Sequence, residues 1–412
     1  MFIRKFLSTL SATLVLLSCQ EKDEKPVLPL NQLKIYVHEY YTSQGDRTYV
    51  LIHDHDGKVS DYQEVLNGDT LKLNLSSSTN HHLTIYNSGQ ENTGHYSSLK
   101  TFMNVPVDVV LILGLSEHTI ETPSELGNEL EVIATSEDNE IQSGSISNAA
   151  GNFQLFSNIS GNQMNLKINR RIGFDEHLIF VSDKSGKPYY KFFFQKEGQT
   201  LYPFNLSEFK DFEYELVLEN TGLKFNTVIV QEMIGKGNSF TGSFLHYSST
   251  FNPDKIILGY LEGFPLHHTF LSANPESSTN QSVNIIARSV KPPQLDLAIP
   301  QPLAVVDKDF YNFSFKLPEY YERWSGNWLI KDSNNSPLLR WTISGNEQKN
   351  PQLELPQELI SQNPRLQELN KLELSSLSII KGKFNYSEWL ENELVKKNTP
   401  YEFQEITWRE TF

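Results

Sequence analysis

Two histidines and two aspartates in the first quarter of the sequence carry side chains that could bind a metal ion. His53 and His55 lie two residues apart on a predicted strand, so their side chains would project from one face. With Asp54 or Asp56, and with a histidine of the pair His81–His82, they would supply the nitrogen and oxygen ligands that suit zinc. The fragment Asp-His-Asp-Gly also occurs in calcium loops, but calcium needs six to eight oxygen ligands.

The same fragment fits the tip of a β-hairpin, and two related hairpins further along the chain carry no histidine at the matching positions. Those positions hold Ser182 and Lys184 in one hairpin, and Lys331 and Ser333 in the other. Exposed hairpin histidines are therefore the favoured interpretation. We predict no metal site and no cofactor, and the two histidines named above are the metal candidates that we retain.

Aromatic side chains near residue 320 form a second candidate site. Tyr320, Tyr321 and Trp324 lie in the run Tyr-Tyr-Glu-Arg-Trp, which we predict to be an exposed cluster. Exposed rings can stack on the apolar faces of sugars, and Trp and Tyr also anchor protein interfaces. The cluster therefore predicts a glycan or a protein partner. Trp328 and Trp341 lie within predicted strands and are predicted core residues instead.

Other features of the sequence argue against several classes of function. It contains no Gly-x-Ser-x-Gly nucleophile elbow, Walker loop, dinucleotide fingerprint or His-Glu-x-x-His motif. We therefore assign no catalytic residue, although the carboxylate pairs of glycoside hydrolases leave no short signature. The formal net charge of −15 repels phosphate backbones, so we predict no nucleic-acid partner.

The N-terminal segment has the layout of a secretory signal peptide. Arg4 and Lys5 precede an apolar stretch at residues 6–17, which is too short to cross a ~30 Å hydrocarbon core comfortably as a helix. Cys19 follows this stretch. It is the single cysteine of the sequence, so no intramolecular disulfide can form.

The run Leu16-Leu17-Ser18-Cys19 resembles the lipobox of bacterial lipoproteins. In that family the cysteine thiol is diacylated, and the signal peptide, here residues 1–18, is cut in front of it. Two or three acyl chains hold a protein on a membrane far longer than one chain does. The resemblance therefore implies that the partner of Cys19 is a membrane, reached through a lipid anchor.

Residues 19–30 are predicted to be an acidic tether that follows the anchor. Their charged run resembles the export signal of Bacteroidota-type surface lipoproteins, which implies an outer-membrane protein exposed on the cell surface. The alternative is an anchored protein that faces the periplasm. Asp69-Thr70-Leu71 resembles the short O-glycosylation sequon of exported proteins of that group, which makes Thr70 a candidate glycosylation site.

The elements that must position these residues are predicted to be mostly β-strands. From residue 32 onward, short runs of β-branched and aromatic residues are separated by turn residues. Helical spacing occurs in two places, Glu358–Leu372, interrupted at Pro364, and Ser387–Lys396. The predicted fold class is therefore all-β, with a minor helix in the C-terminal part.

One hairpin pattern recurs three times along the chain. In each copy an apolar run ends at an aspartate, and a glycine or asparagine three residues later precedes the next strand. Gly and Asn tolerate the positive φ that a tight hairpin needs. The three pairs are Asp54 with Gly57, Asp183 with Gly186, and Asp332 with Asn335.

This repeat predicts three tandem immunoglobulin-like antiparallel sandwiches, at residues 31–120, 121–275 and 276–412. The leading hypothesis is a membrane-anchored, non-catalytic binding, adhesion or scaffold protein, with glycan binding as its sharper form. One alternative is an extracellular hydrolase acting on envelope or polysaccharide substrates. The other is an accessory subunit of an outer-membrane transport or secretion complex.

Overall fold

The computed structural model describes residues 32–412 apart from 44, 78, 92–93, 115–125, 139, 151–152, 156–157, 220–221, 237–238, 249–254, 296–302, 317, 319–320 and 396–401. Most of the described residues lie in β-strands, and the longer helical segments follow residue 356. The all-β prediction is confirmed. Within these ranges, no helix has the length and apolar character needed to cross a membrane.

Residues 32–113 form the N-terminal sandwich, whose two sheets enclose one core. Its strands are β1 Gln32–Val37, β2 Arg47–His53, β3 Val59–Glu64, β4 Thr70–Asn74, β5 His82–Glu91, β6 Gly94–Phe102 and β7 Val110–Leu113. One sheet has the order β4-β1-β7, with β1 and β7 parallel, and the other has the order β3-β2-β5-β6. Leu33, Ile35 and Val37 alternate along β1 and are fully buried between the sheets.

Residues 126–211 form the middle sandwich around a separate core. Its strands are β8 Leu126–Thr135, β9 Ile141–Asn148, β10 Phe153–Leu155, β11 Asn158–Ser160, β12 Gln163–Arg171, β13 Glu176–Asp183, β14 Pro188–Phe194, β15 Leu201–Asn205 and β16 Lys210–Asp211. The sheet orders are β11-β12-β8-β15 and β10-β9-β13-β14-β16. A single 3-10 turn, Leu206–Glu208, lies between the last two strands.

Of the twelve remaining strands, eight extend one sheet of the N-terminal sandwich into a twelve-stranded central sheet, and the other four form two separate two-stranded sheets. The twelve are β17 Tyr214–Glu219, β18 Leu223–Lys236, β19 Ser239–Ser248, β20 Lys255–Tyr260, β21 Leu266–Pro275, β22 Gln281–Ser289, β23 Ala304–Asp307, β24 Ser314–Lys316, β25 Arg323–Lys331, β26 Pro337–Gly345, β27 Glu373–Gly382 and β28 Phe403–Thr411. The central sheet has the order β19-β18-β21-β22-β28-β27-β25-β26-β6-β5-β2-β3. Within it, β26 and β6 are parallel and all other neighbours are antiparallel.

One face of the central sheet carries the largest core. Residues of the two-stranded sheets β17-β20 and β23-β24, and of the segment 353–372, pack against that face. Four tryptophans with at most 1% exposure lie in this core: Trp324, Trp328, Trp341 and Trp408. The core positions predicted for Trp328 and Trp341 are confirmed.

The helical segments fall where the sequence predicts them. The first is α1 Gln357–Gln362 followed by a 3-10 segment Pro364–Lys371, and the break lies at the predicted proline. The second is α2 Tyr386–Leu390, continued by a π-helical turn Glu391–Val395. The second segment packs on the core of the N-terminal sandwich although it is almost 300 residues away in sequence.

The three repeated hairpins adopt one geometry. In each, the aspartate Oδ1 accepts hydrogen bonds from the backbone amides two and four residues later, at 2.8–3.0 Å. The turn residues have φ of 90°, 83° and 66°, so each occupies the left-handed region. The hairpin prediction is therefore confirmed for the pairs Asp54 with Gly57, Asp183 with Gly186, and Asp332 with Asn335.

The division into three modules and the count of three immunoglobulin-like units stay predictions. Strands from all three predicted ranges belong to the central sheet. The predicted border between residues 275 and 276 separates β21 from β22, which pair as neighbours. Likewise β26 pairs with β6, which joins the first and third predicted ranges directly.

Candidate functional site

A cleft of about 770 Å³ lies beside the hairpin that joins β2 to β3. The tip of this hairpin contributes one wall, and residues 311–314 and 347–354 contribute others. His55, Asp56, Tyr311, Glu347 and Asn350 are among the lining residues, most of which are polar. We call this feature the polar cleft. It is formed by segments that are about 250 to 300 residues apart in sequence.

The hairpin tip can close one side of the polar cleft because Gly57 has no side chain. Gly57 has φ of +90°, and a Cβ atom there would collide with the backbone carbonyl of Gln352. The Gly57 carbonyl accepts a hydrogen bond from the Glu354 amide at 2.9 Å. The turn therefore also fixes the opposite wall of the cleft.

Two asparagines place unsatisfied carbonyl oxygens at the polar cleft. Asn350 is 6% exposed, and its Nδ2 donates to the Phe310 carbonyl at 3.1 Å. Asn104, which has φ of 50°, donates from Nδ2 to the Glu347 carboxylate at 2.9 Å. Neither Oδ1 atom has a hydrogen-bond donor among the described residues. Both oxygens are closed to solvent, and unsatisfied buried acceptors are costly, so a ligand donor that reached them after a small side-chain movement would be stabilised.

A neutral imidazole forms a further part of the lining. The backbone amide of Asn104 donates to His82 Nδ1 at 3.1 Å, which leaves Nε2–H to donate to the His55 carbonyl at 3.4 Å. Burial lowers the pKa of His82. The ring therefore stays neutral near pH 7 and holds the hairpin against Asn104.

Three exposed or half-exposed groups at the hairpin tip have the geometry of a weak cation site. The ligand atoms of Asp54, His55 and Asp56 all lie within 4.8 Å of one another. His55 Nε2 is 3.2 Å from the Asp56 carboxylate. However, Asp54 makes the same turn bonds as its counterparts in the other two hairpins. The hydrogen bonds of the turn therefore account for an aspartate at position 54, and no bound ion is needed to explain it.

The structure separates the two histidines that the sequence places on one face, so that prediction is wrong. β2 ends at His53, and the turn that follows directs His55 into the polar cleft. His53 is fully buried; its Nδ1 lies 3.1 Å from the Gly57 carbonyl and its Nε2 lies 2.9 Å from Thr84 Oγ1. The description of both histidines as exposed hairpin residues is therefore wrong for His53 and holds for His55.

The hydrogen bonds of His53 continue across the sheet. Thr84 Oγ1 lies 2.8 Å from Thr101 Oγ1, which accepts a hydrogen bond from Trp341 Nε1 at 2.9 Å. All four side chains are buried. This chain of hydrogen bonds links β2, β5, β6 and β26, so it crosses the parallel pair that joins the N-terminal sandwich to the rest of the central sheet.

The predicted aromatic cluster is not an exposed surface at Trp324, so that part of the prediction is wrong. Trp324 is 0% exposed; its Nε1 donates to the Glu347 carbonyl, and its ring packs against Phe313 and Phe315. It points to the core because β25 alternates and its neighbours on that face are apolar. Tyr321 is half-buried against the same core, and Tyr320 lies outside the described residues.

An aromatic ring that sequence reasoning overlooked lies at the polar cleft instead. Tyr311 is 38% exposed and lines the cleft beside Asn350 and Glu347. Its ring packs edge-on against Phe310, which is buried in the tryptophan core. No short motif marks Tyr311, and its position becomes apparent only when the loop between β23 and β24 folds.

A buried ionisable cluster lies where the central sheet meets the middle sandwich. Glu232 of β18 is 0% exposed; it bonds His267 Nδ1 of β21, accepts from the Leu261 amide at 2.9 Å, and lies 3.7 Å from His246 Nε2. Burial raises the pKa of Glu232, but the two histidines lower it by more, and the net direction is downward. His246 stacks on Phe180 of the middle sandwich. These residues are dispersed in sequence, so no motif predicts them.

Of the two candidate modification sites in the sequence, Thr70 and Cys19, the structure describes the first. Thr70 begins β4, and its side chain is exposed and accessible to modification, so glycosylation there stays a prediction. Cys19 lies outside the described residues. Comparison with known proteins adds no identification, since no family model matches the chain and no curated protein matches it.

Proposed function

We propose that this protein is a non-catalytic glycan-binding protein that acyl chains on Cys19 hold on the bacterial outer membrane. The observation that supports the binding role is the composition of the polar cleft. An accessible ring, amide oxygens without donors, and carboxylates line one cavity of about 770 Å³. Concave sites with a few convergent polar groups are where proteins bind small molecules.

Each type of group in the polar cleft corresponds to a part of a sugar. The ring of Tyr311, which is 38% exposed, can pack against the apolar C–H face of a pyranose. The Oδ1 atoms of Asn104 and Asn350 accept hydrogen bonds, as do the carboxylates of Asp56 and Glu347. Sugar hydroxyls donate such bonds. Lys58 and Lys349, which also line the cleft, can donate hydrogen bonds to sugar oxygens, so the expected ligand is a hydroxyl-rich saccharide.

A glycan array probed with the purified full-length protein tests this proposal. We expect binding to a limited set of saccharides, and we expect Tyr311→Ala to weaken it at least tenfold because the ring is lost. Tyr40→Ala is the matched control, since Tyr40 is 84% exposed and does not line the polar cleft. Thermal unfolding of both variants checks that the fold persists.

Three results of that experiment are informative. Equal loss in the two tyrosine variants, or no bound saccharide on the array, would contradict the glycan-binding role. Release of shortened glycans during incubation would instead support the hydrolase alternative, with Asp56, Glu347 or Glu354 as its first carboxylates to test. Binding that Tyr311→Ala weakens and Tyr40→Ala preserves would support the cleft as the site.

The membrane anchor needs a separate experiment. Cells that express the full chain are fed a clickable fatty acid, and the protein should incorporate it, whereas Cys19→Ser should abolish incorporation. Incorporation that survives Cys19→Ser would contradict the anchor. Protease treatment of intact cells then distinguishes cell-surface display, for which the protein is digested, from the periplasm-facing alternative, for which it is protected.

A further inference from the structure

A second concave surface lies at one end of strands β22, β27 and β28. It has a volume of about 550 Å³ and is formed by residues of these strands and of the loop that follows β22. Arg288, Lys381 and Lys383 lie in its lining with Phe403 and Gln404. We call these five residues the cationic groove. Its positive charge contrasts with the net charge of −15 of the whole chain.

Arg288 has a hydrogen-bond donor in this groove that no acceptor satisfies. It is half-buried on β22, and its guanidinium carbon lies 5.4 Å from the centre of the Phe403 ring. Its Nε has no hydrogen-bond acceptor, and no described carboxylate forms an ion pair with it. A buried guanidinium N–H without an acceptor is unfavourable, because it has lost its hydrogen bonds to water without gaining one in the protein.

The residues paired with Arg288 on the two neighbouring strands, His268 and Phe403, carry no negative charge. His268 lies directly opposite Arg288 on β21, and burial together with the charge of Arg288 lowers the pKa of His268 to about 4. Burial also lowers the pKa of Arg288 itself. His268 is therefore a neutral neighbour near pH 7, and it supplies no negative charge.

One carboxylate, that of Glu402, belongs to the groove lining, and Glu405 lies close by on β28. The carboxylate of Glu402 accepts a hydrogen bond from the Val290 amide at 3.0 Å, and Glu405 pairs with Arg323. Lys383 donates to the backbone carbonyl of Glu402 at 3.4 Å. Arg288, Lys381 and Lys383 thus share the groove lining with the carboxylate of Glu402, and Lys381 has a further interaction of its own.

We propose that the cationic groove binds an oxyanion carried by a small organic ligand. The planar guanidinium of Arg288 would bind two of its oxygens, and Lys381 and Lys383 would add charge at the rim. The ring of Phe403 would contact the carbon skeleton next to the anion. The site is distinct from the polar cleft in position and in charge, so the two can be tested independently.

Titration calorimetry of the purified full-length protein at low ionic strength tests this site. The probes are D-glucuronate, inorganic sulfate and inorganic phosphate, with D-glucose as the neutral control. We expect saturable binding of at least one oxyanion and none of D-glucose in the groove. A preference for D-glucuronate would identify an organic carboxylate as the ligand, whereas equal binding of sulfate or phosphate would identify a free inorganic anion.

Matched arginine variants assign the site. Arg288→Gln should weaken oxyanion binding at least tenfold, Arg288→Lys should weaken it less, and Arg340→Gln should leave it unchanged because Arg340 is exposed outside the groove. Arg288→Gln should keep the thermal midpoint, since the arginine has no ion pair to lose. The proposal is overturned if no probe binds, or if Arg288→Gln and Arg340→Gln bind equally. Tyr311→Ala should retain oxyanion binding, which separates this site from the polar cleft.

Discussion

The buried His53 should make this protein measurably less stable at mildly acidic pH. His53 forms the β2 end of the hydrogen-bond chain that joins the N-terminal sandwich to β26. Burial is the main cause that lowers its pKa, from 6.5 to about 4, and the nearby His82 adds to the effect. Its hydrogen bond to Gly57 and the charge of Asp54 oppose this shift without cancelling it.

The sign of the pH effect follows from which state binds the proton. Since the pKa of His53 is lower in the folded state, its stabilising effect is complete above pH 6.5 and is lost as pH falls from 6.5 towards 4. Between pH 7.5 and pH 5.0, the two pKa values imply a loss of about 2 kcal/mol in the free energy of unfolding from this residue. Replacement by an uncharged residue removes this contribution.

The assay is urea unfolding at pH 7.5 and at pH 5.0, followed by tryptophan fluorescence, for the wild type, His53→Gln and His55→Gln. His53→Gln should be less stable at pH 7.5, because glutamine does not reproduce both ring hydrogen bonds. Its loss of stability on acidification should nevertheless be smaller than that of the wild type by about 2 kcal/mol. His55→Gln should behave as the wild type, since the His55 side chain is 61% exposed. An equal pH-dependent loss in wild type and His53→Gln would refute the reasoning.

Three other substitutions test which interactions stabilise the fold. Gly57→Ala should cost at least ~3 kcal/mol and weaken saccharide binding, because it combines positive φ with a collision against Gln352. Gly186→Ala has the same positive φ but open space around it, so thermal unfolding should register a loss of only about 1 kcal/mol. Glu232→Gln should cost about 3 kcal/mol near pH 7, since it removes the buried charge that His267 pairs with. Because the pKa of Glu232 is lowered, its stabilising effect is present above pH 4.5 and is lost at lower pH, and an unchanged acid unfolding midpoint in Glu232→Gln would contradict this assignment.

The polar cleft and the cationic groove offer different chemical groups to a ligand. The cleft offers acceptors and one accessible ring, which suit hydroxyl-rich neutral molecules. The groove offers cations and a ring, which suit an anion. A neutral saccharide should therefore bind in the cleft and an anion in the groove, and the tyrosine and arginine variants together show which site binds a given ligand.

The sequence by itself determined the features whose forces act over a few residues. The Asp-x-x-Gly hairpins follow from bonds that reach no further than four residues, and the positive φ of Gly57 follows from the residue type. The helix break at Pro364 is equally local, because proline lacks the backbone N–H that a continuing helix would use. The short runs of β-branched and aromatic residues between turn residues likewise indicated strands, and hence the all-β class.

Only the tertiary structure decided which face of each strand is covered and which distant residues meet. Trp324 is buried because β25 lies inside a twelve-stranded sheet with apolar elements packed over that face. Glu232 meets His267 through sheet pairing, and Asn104 meets Glu347 across more than 200 residues of sequence. Strand pairing and burial are long-range, so local residue spacing carries no information about them. The candidate sites therefore became visible only with the fold.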